Sequence, residues 1–161
     1  DIALVRVDNR LVHGQILEAW LPFLKASCIV VADDQVASDF FRETVIRMAV
    51  PSEVRVVINS VAEFAGNYAF RRGAGPSTIV LFSTLSAASA AYRLGFRFDK
   101  LNIGNIYHEE CRLCCGQSVQ LNDGDILDIT DLRNEGVQIE LRRVPREKPF
   151  DLFEIVRYLG A

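Results

Sequence analysis

The sequence lacks the features that mark several large classes of protein. Four cysteines in 161 residues are too few for the disulfide framework of a small secreted domain. No stretch approaches the ~18 uncharged apolar residues of a membrane span, and the N-terminus lacks the regions of a signal peptide. The loop after the first predicted strand contains neither GxGxxG nor GxxxxGK[ST]. We therefore expect a cytosolic protein without ordinary dinucleotide or P-loop chemistry.

The size and charge of the chain favour one compact domain that covers residues 1–161. With 161 residues, half of them hydrophobic, the chain is long enough for a sizeable core but too short for two comfortable domains. The formal net charge is −3, which argues against a protein that binds nucleic acid through its overall charge. We therefore expect no nucleic-acid partner.

Short apolar runs recur along the chain and predict strands. Runs without polar alternation are typical of parallel strands that are buried on both faces, so helices should cover both sides of the sheet. Residues 118–121 and 137–141 alternate instead, which predicts edge strands. The predicted fold is α/β, with an open, mostly parallel twisted sheet, helices on both faces, and antiparallel or edge strands near the C-terminus. The continuous runs are Ile2–Val7, Cys28–Ala32, Val54–Ile58, Thr78–Phe82 and Leu101–Ile103.

Helical spacing of apolar residues fills the segments between the runs. A first stripe predicts a helix from Gln15 to Ala26, in which Pro22 costs up to roughly 3 kcal/mol or introduces a kink. A second stripe follows the N-cap pair Ser38-Asp39. Its members are Phe40, Phe41, Thr44, Val45 and Met48. Further helices are predicted at 61–65, 86–94, 123–135 and 150–158, and residues 71–76 are predicted to form a surface loop.

The stretch RVDNRLVHGQ, residues 6–15, lies at the carboxyl end of the first predicted strand, where ligands bind in open α/β sheets. His13 could simply be a structural residue at a helix N-terminus, satisfied by Asp8 or a backbone carbonyl. The other interpretation is a phosphate site, because a helix N-terminus attracts anions and the guanidinium groups of Arg6 and Arg10 match phosphate geometry. A neutral imidazole there is also a competent nucleophile, which favours phosphohistidine chemistry.

The same stretch resembles a signature of one protein family. It is similar to the pattern R-[IV]-D-[DS]-R-[LI]-[IV]-H-G-Q-V of the IIB component of the mannose/fructose/sorbose family, part of the bacterial phosphoenolpyruvate-dependent sugar phosphotransferase system. The resemblance covers essentially the whole chain. Other segments that resemble the family in order are Trp20, 29–37, 49–51, 81–84, 101–104, Val119, Leu121 and the predicted helix from Asp123.

The resemblance implies a phosphocarrier. His13 would accept a phosphoryl group from a phosphohistidine of a IIA domain and pass it to a sugar brought in by the membrane components IIC and IID, with no metal or other cofactor. By position in the motif, Arg10 would neutralise the phosphoryl group, Arg6 would be a second basic residue of the loop, and Asp8 would order the loop or orient His13. The resemblance places such a protein in the cytoplasm, at the inner face of the membrane through IIC and IID. It leaves open a homodimer and the identity of the sugar.

Several helper residues have a structural interpretation beside the functional one. Arg6 could be a solvated cap of its strand, and Asp8 could be only a turn residue. The residues after the fourth and fifth strands could line the same crevice, but helix capping and turns explain them almost as well. The predicted phosphate-binding or loop residues are Gly14, Gln15, Ser83, Thr84 and Gly104, and Asn105 lies beside the last of them.

The sequence departs from the family pattern in three places. Asn9 stands where the family often has Asp, and Asn105 stands where it often has a glycine. If that glycine uses a positive φ, asparagine is its best substitute. Cys111, Cys114 and Cys115 lie in a segment that also contains a histidine and two glutamates. They could bind zinc or act as a redox pair in a non-transporting regulatory module, or they could be incidental thiols; Cys28 is expected in the core. The intact motif favours the phosphocarrier.

Overall fold

The computed structural model describes residues 1–69, 75–116 and 118–154. Its strands in chain order are β1 (Ile2–Asp8), β2 (Cys28–Ala32), β3 (Arg55–Asn59), β4 (Thr78–Phe82), β5 (Lys100–Asn105), β6 (Leu113–Cys115), β7 (Val119–Leu121), β8 (Gln138–Leu141) and β9 (Phe150–Asp151).

Seven of these strands form one sheet in the order β3-β2-β4-β1-β5-β8-β9. All neighbours in it are parallel except β8 and β9, and β6 and β7 form a separate antiparallel pair. The predicted fold class is confirmed. The prediction of β8 as an edge strand is wrong, because β8 pairs with β5 on one side and β9 on the other. Its polar Glu140 is buried rather than exposed, since it binds Asn102 and Lys100.

The helices form where apolar spacing predicted them, with differences at the ends of the chain. The π-helix Gln15–Trp20 continues as α1 (Leu21–Leu24), so the helix runs through Pro22 after a stretch of wider turns. Residues 150–151 form β9 instead of starting the last predicted helix; residues 152–154 are helical, and the remainder of that prediction, like residues 71–74 of the predicted loop, lies outside the described residues. The other helices are α2 (Asp34–Ala37), α3 (Phe40–Ala49), α4 (Val61–Ala69), α5 (Leu85–Arg93) and α6 (Asp123–Asn134).

Two apolar cores cover the two faces of the sheet. Alternate residues of β4 point to opposite sides, so Phe82 joins the core under α4, α5 and α6 while Leu81 joins the core under the π-helix. In the first core the ring of Phe64 lies 4.6 Å from that of Phe96 and 5.9 Å from that of Phe82. In the second, Trp20 is almost fully buried. Helices therefore cover both faces, as predicted.

The apolar stripe of α3 does not pack on either core. Phe40, Phe41 and Met48 are 83%, 75% and 81% exposed, and Val45 is half exposed, whereas Ile46 on another side of the helix contacts the second core. Apolar periodicity shows that side chains share a face, but it does not show which surface that face meets. The helix was predicted correctly, and the packing that its stripe suggested is wrong.

The connections between the strands run in opposite directions on the two sides of β1. From β1 the chain crosses towards β2 on one side, and from β5, the other neighbour of β1, it leads towards β8 on the opposite side. Such a switch in direction opens a crevice at the carboxyl ends of the two strands. The loop that follows Asp8 lies at this crevice.

Replacing Phe64 and Phe41 by alanine tests the assignment of core and surface. Phe64→Ala should lower the free energy of unfolding by about 3–5 kcal/mol, because it empties space between packed rings. Phe41→Ala should change it by no more than about 0.5 kcal/mol, because the side chain is already in solvent. Urea unfolding followed by circular dichroism measures both. Equal losses for the two variants would contradict the described orientation of α3.

Candidate active site

The loop after β1 is folded around the carboxylate of Asp8. The backbone N–H of Arg10 donates to Asp8 Oδ1 at 3.0 Å, and that of Leu11 donates to the Asp8 carbonyl at 2.9 Å. Leu11 is buried with a φ of +56°, a conformation that a branched side chain rarely adopts. The chain then turns into the π-helix, whose first N–H groups, those of Ile16 and Leu17, donate to the carbonyl of His13 at 3.0 Å. This turn brings His13 back over the end of β1.

His13 is held by Asp8 through one ring nitrogen. Nε2 lies 2.8 Å from Asp8 Oδ2, and the backbone N–H of Gln15 points at Nδ1 over 3.4 Å. An ionised carboxylate only accepts hydrogen bonds, so the proton between the two side chains belongs to Nε2. In the neutral imidazole Nδ1 therefore carries the lone pair. The side chain of His13 is 16% exposed, so the imidazole is partly accessible to solvent.

The environment of Asp8 keeps its carboxylate charged. Burial raises the pKa of this fully enclosed group, but the hydrogen bond to His13, the charge of Arg6 and the backbone hydrogen bond of Arg10 outweigh it and lower the pKa to about 2 from an ordinary value of 3.8. Asp8 thus acts as a fixed negative charge beneath the imidazole at every physiological pH.

Arg6 lies beneath Asp8, fully buried in β1. Its Nη2 donates to Asp8 Oδ2 and to Gln15 Oε1, both at 3.0 Å. Its Nη1 donates to Asn102 Oδ1 at 2.8 Å and to the Arg142 carbonyl at 3.0 Å. Burial lowers the pKa of the guanidinium, and the charge of Asp8 opposes that shift. The interpretation of Arg6 as a solvated cap is wrong, because water does not reach it.

Gly104 on β5 leaves the space that Arg6 occupies. A Cβ atom at this position would overlap the guanidinium group of Arg6. Gly104 therefore belongs to the predicted site, but what it provides there is room for an arginine. Gly14 differs, because a Cβ there would find its nearest neighbour, Glu18 Oε2, at an ordinary 3.9 Å.

Arg10 and Gln15 complete the surface of the site. Gln15 Oε1 accepts from Nη2 of Arg10 at 3.0 Å as well as from Arg6, so it bridges the two guanidinium groups. Arg10 Nε also lies 3.3 Å from Asp8 Oδ1, yet 44% of its side chain is exposed. Of the two arginines in the motif, only Arg10 can meet a group that arrives from solvent.

Ser83 and Thr84 make their contacts elsewhere. Ser83 donates to the carboxylate of Asp33, and the Thr84 hydroxyl accepts from the N–H of Ala87 at 3.0 Å as the N-cap of α5. Neither hydroxyl forms a hydrogen bond to Asp8 or His13 in the part of the chain that the structure describes. Their contacts are those of the capping interpretation, and a phosphate-binding role for them stays a prediction.

The two asparagines at positions that depart from the family pattern are bonded to each other. Asn105 donates through Nδ2 to Asn9 Oδ1, and the Asn9 N–H donates to the Asn105 carbonyl at 3.0 Å. Asn105 does not have a positive φ, so the expectation that it replaces a glycine for that reason is wrong. The pair joins the loop after β1 to the end of β5.

The sequence reasoning missed Asn102, Glu140 and the backbone of Arg142 as parts of the site. Asn102 accepts from Arg6 and donates to Glu140 Oε1 at 3.2 Å and to the Arg142 carbonyl at 3.1 Å. Its one signal in the sequence is an amide inside the apolar run of β5. A main-chain carbonyl at position 142 leaves no signal in the sequence.

The four cysteines lie in two different settings in the described part of the chain. Cys111 and Cys114 form a disulfide with Cα atoms 6.2 Å apart, so these two are not incidental free thiols. Cys115 and Cys28 are buried free thiols, and burial raises the pKa of Cys115. His108 binds Asp125 at 2.6 Å. Within residues 1–69, 75–116 and 118–154, no three of the metal-ligating side chains cluster, which gives no support to the zinc interpretation.

Comparison with known proteins decides the family. A family model described as "PTS system sorbose subfamily IIB component" matches residues 2–160. The chain belongs to this family. The sequence resemblance is therefore confirmed, and IIB components of this kind are sugar phosphotransferases.

Individual relatives of this IIB component name different sugars. It is 32% identical to the fructose-specific EIIB component of Bacillus subtilis (strain 168), over 98% of this chain and 96% of that one. It is 25% identical to the mannose-specific EIIAB component of Escherichia coli (strain K12), over 96% of this chain and 48% of that one. The IIBSor domain of the sorbose permease from Klebsiella pneumoniae superposes with a TM-score of 0.89 at 26% identity, covering 98% of this chain and 97% of that one.

No helix in the described part of the chain is long and apolar enough to cross a membrane.

Replacing Gly104 by alanine tests the space it leaves for Arg6. Because the new Cβ would overlap a guanidinium with no room to move, Gly104→Ala should destabilise the fold by about 1–3 kcal/mol and disturb the Asp8–His13 pair. Gly66→Ala on α4 is the matched control: nothing lies within 4 Å of its added Cβ, so it should be neutral or stabilise by up to about 1 kcal/mol. Thermal unfolding compares the two; a Gly104→Ala protein as stable as the control would contradict the close packing.

The pKa of Asp8 predicts a dependence of stability on acid. The pKa of Asp8 in the folded protein, about 2, is below the ordinary 3.8. The ionised Asp8 therefore contributes roughly 2 kcal/mol to the free energy of unfolding above pH ~4, and this contribution is lost as the pH falls through about 2. The ¹³C shift of the Asp8 carboxyl group should follow this titration. A midpoint near the ordinary value would show that the partners of Asp8 do not hold its charge.

Proposed function

We propose that this IIB component is a phosphocarrier that accepts a phosphoryl group on Nδ1 of His13 from a phosphohistidine of a IIA domain and passes it to a sugar. The observation that carries the proposal is the hydrogen bond between His13 Nε2 and the buried, ionised Asp8, which leaves Nδ1 as the nucleophile. The motif and the family membership support the same assignment.

The bond exchange takes place at His13, with Asp8 beside it. The lone pair of His13 Nδ1 forms a bond to phosphorus while the bond from phosphorus to the donor's imidazole breaks, and that imidazole recovers the electron pair. As the bond forms, positive charge develops on the ring of His13. Asp8, 2.8 Å from the opposite nitrogen, stabilises that charge because it is already ionised and cannot move away.

The phosphoryl oxygens meet donors around Nδ1. The backbone nitrogen of Gln15 lies 3.4 Å from Nδ1 of His13. Its N–H can therefore donate a hydrogen bond to an oxygen of the incoming phosphoryl group. Arg10 is the exposed guanidinium, so it neutralises the phosphoryl charge. Arg6 has no access to the group and positions Asp8 and Gln15 instead.

The partners and the location follow from the same proposal. The relative named an EIIAB component supports a IIA domain as the donor, and the relatives named for fructose, mannose and sorbose support a sugar as the final acceptor, delivered by IIC and IID. The protein would then work in the cytoplasm against the inner face of the membrane, as one domain over residues 1–161. A homodimer also stays a proposal, and the exposed stripe of α3 is a surface that could form it. The regulatory-module alternative is not favoured by the family.

The proposal is tested by labelling the two histidines separately. The protein is mixed with phosphoenolpyruvate, the general phosphotransfer proteins and a family IIA domain, and intact mass is measured. Wild type and His108→Ala should gain one phosphoryl group that is labile in acid and stable in base, whereas His13→Ala should gain none. His108 is the matched control because it is the other histidine of the chain and also binds an aspartate.

Correlation of ¹H and ¹⁵N shifts in the phosphorylated protein then identifies the modified nitrogen. Phosphate on Nε2 would contradict the role given to Asp8. No label on wild type, with partners that are active on another IIB component, would reject the phosphocarrier.

A further inference from the structure

We propose that residues 142–148, together with Phe23, form a docking surface for an acidic face of the protein that donates the phosphoryl group. We call this segment the basic loop. The inference rests on the proposed function, since it concerns how a donor reaches His13, and it assigns a role to residues outside the loop after β1.

The basic loop has the opposite charge to the chain that carries it. Its seven residues, RRVPREK, contain four basic side chains and one acidic one, whereas the whole chain has a formal net charge of −3. A local concentration of positive charge on an acidic protein attracts acidic surfaces and repels other basic ones.

Two of the four basic side chains are used inside the loop, and two are free to act outside it. Arg142 donates through its guanidinium to the carbonyls of Glu147, at 2.8 Å, and Pro145. Arg143 forms an ion pair with Glu147 at 2.6 Å, which lowers the pKa of that glutamate. Among the described residues, Arg146 and Lys148 form no ion pair, and both are exposed. These two are the side chains that can meet a partner.

Hydrogen bonds from buried residues hold the basic loop next to the site. Its first carbonyl, that of Arg142, accepts hydrogen bonds from Arg6 and Asn102, and the next, that of Arg143, accepts from Trp20 Nε1 at 2.9 Å. The Arg142 guanidinium also lies 5.4 Å from the Trp20 ring. A surface that is already ordered loses little conformational entropy when a partner binds. More of its favourable electrostatic interaction therefore contributes to the binding affinity.

An apolar groove of about 610 Å³ separates the basic loop from the π-helix. Val144 and Pro145 line one side and Gly14, next to His13, lines the other, while Phe23 projects from α1 with 60% of its surface exposed. An apolar centre beside a charged rim is the usual composition of a protein–protein interface. Any protein that fills this groove also covers the neighbour of the reactive histidine.

The charge of the site favours the donor over other occupants. Before transfer His13 carries no phosphoryl group, so no phosphate charge opposes the exposed positive charges of Arg146, Lys148 and Arg10. A phosphoryl group adds about −1.5 to −2 charges, which weakens the attraction for an acidic face once transfer is complete. The same surface would thus bind the donor before the reaction and release it afterwards. A membrane surface lying here would instead block His13 from the donor.

Charge reversal outside the catalytic residues tests the docking surface. In single-turnover transfer from a phosphorylated IIA domain, Arg146→Glu and Lys148→Glu should each lower the second-order rate constant about tenfold at low salt, and high salt should bring it towards the wild-type value. Phosphorylation of His13 by potassium phosphoramidate, which needs no docking, should keep its wild-type rate. Arg55→Glu, an exposed arginine at the amino end of β3, is the matched control and should transfer as wild type does.

The other outcomes separate the two proposals. Wild type that accepts no phosphoryl group from the IIA domain rejects the proposed function and this inference with it. Wild type that is labelled, with Arg146→Glu and Lys148→Glu as fast as Arg55→Glu, overturns the inference alone. Loss of the phosphoramidate reaction in either variant also overturns it, because the loop would then shape the site. Unchanged transfer with lost binding to phosphatidylglycerol vesicles would identify the loop as a membrane contact.

Discussion

The buried ion pair between Arg6 and Asp8 is the interaction on which the rest of the site depends. Both side chains are fully enclosed, at 3.0 Å from each other, in the central strand of the sheet. Removing water from two charges is expensive, and such a pair is stable only when hydrogen bonds satisfy its remaining donors and acceptors. Besides the pair itself, Arg6 forms three of these bonds, and Asp8 accepts others from His13 and from Arg10. The Nε of Arg6 is without a partner among the described residues, which shows that the arrangement serves the site at some cost in stability.

That pair imposes requirements on distant parts of the chain. β5 must lack a side chain at Gly104 so that the guanidinium fits, and it must place an amide at Asn102 so that Nη1 finds an acceptor. Trp20 has to cover the guanidinium from the π-helix, with its ring 5.8 Å away. Glu140 is then buried as the next acceptor in the network and is paired at the surface with Lys100. A local charge pair on β1 thus determines residues on two other strands and a helix.

Sequence patterns predicted the parts of this structure that depend on neighbours along the chain. Continuous apolar runs predicted the five parallel strands β1 to β5, and the end of the first run located the predicted site. The burial of Arg6 was not predictable in this way, because its partners Asn102 and Arg142 lie 96 and 136 residues away. The predicted packing of α3 was wrong for a related reason. Periodicity shows which side chains share a face, whereas burial depends on what the tertiary fold places opposite that face. The Cys111–Cys114 disulfide was partly predictable, because the spacing of the two cysteines is compatible with a redox pair but does not require one.

If the two proposals above hold, the network also links the two surfaces that a phosphoryl donor meets. Arg6 binds Asp8 with one nitrogen of its guanidinium and the carbonyl of Arg142 with the other. The first contact sets the position of the His13 imidazole, and the second sets the start of the basic loop. Because a guanidinium is planar and rigid, the distance between the His13 imidazole and the basic loop is determined inside the protein core. Exposed loops can therefore change to suit a different donor without disturbing the nucleophile, provided that their anchoring carbonyl stays on Arg6. Transfer between two proteins requires this separation, since the partner must be chosen at the surface while the reacting atoms are aligned beneath it.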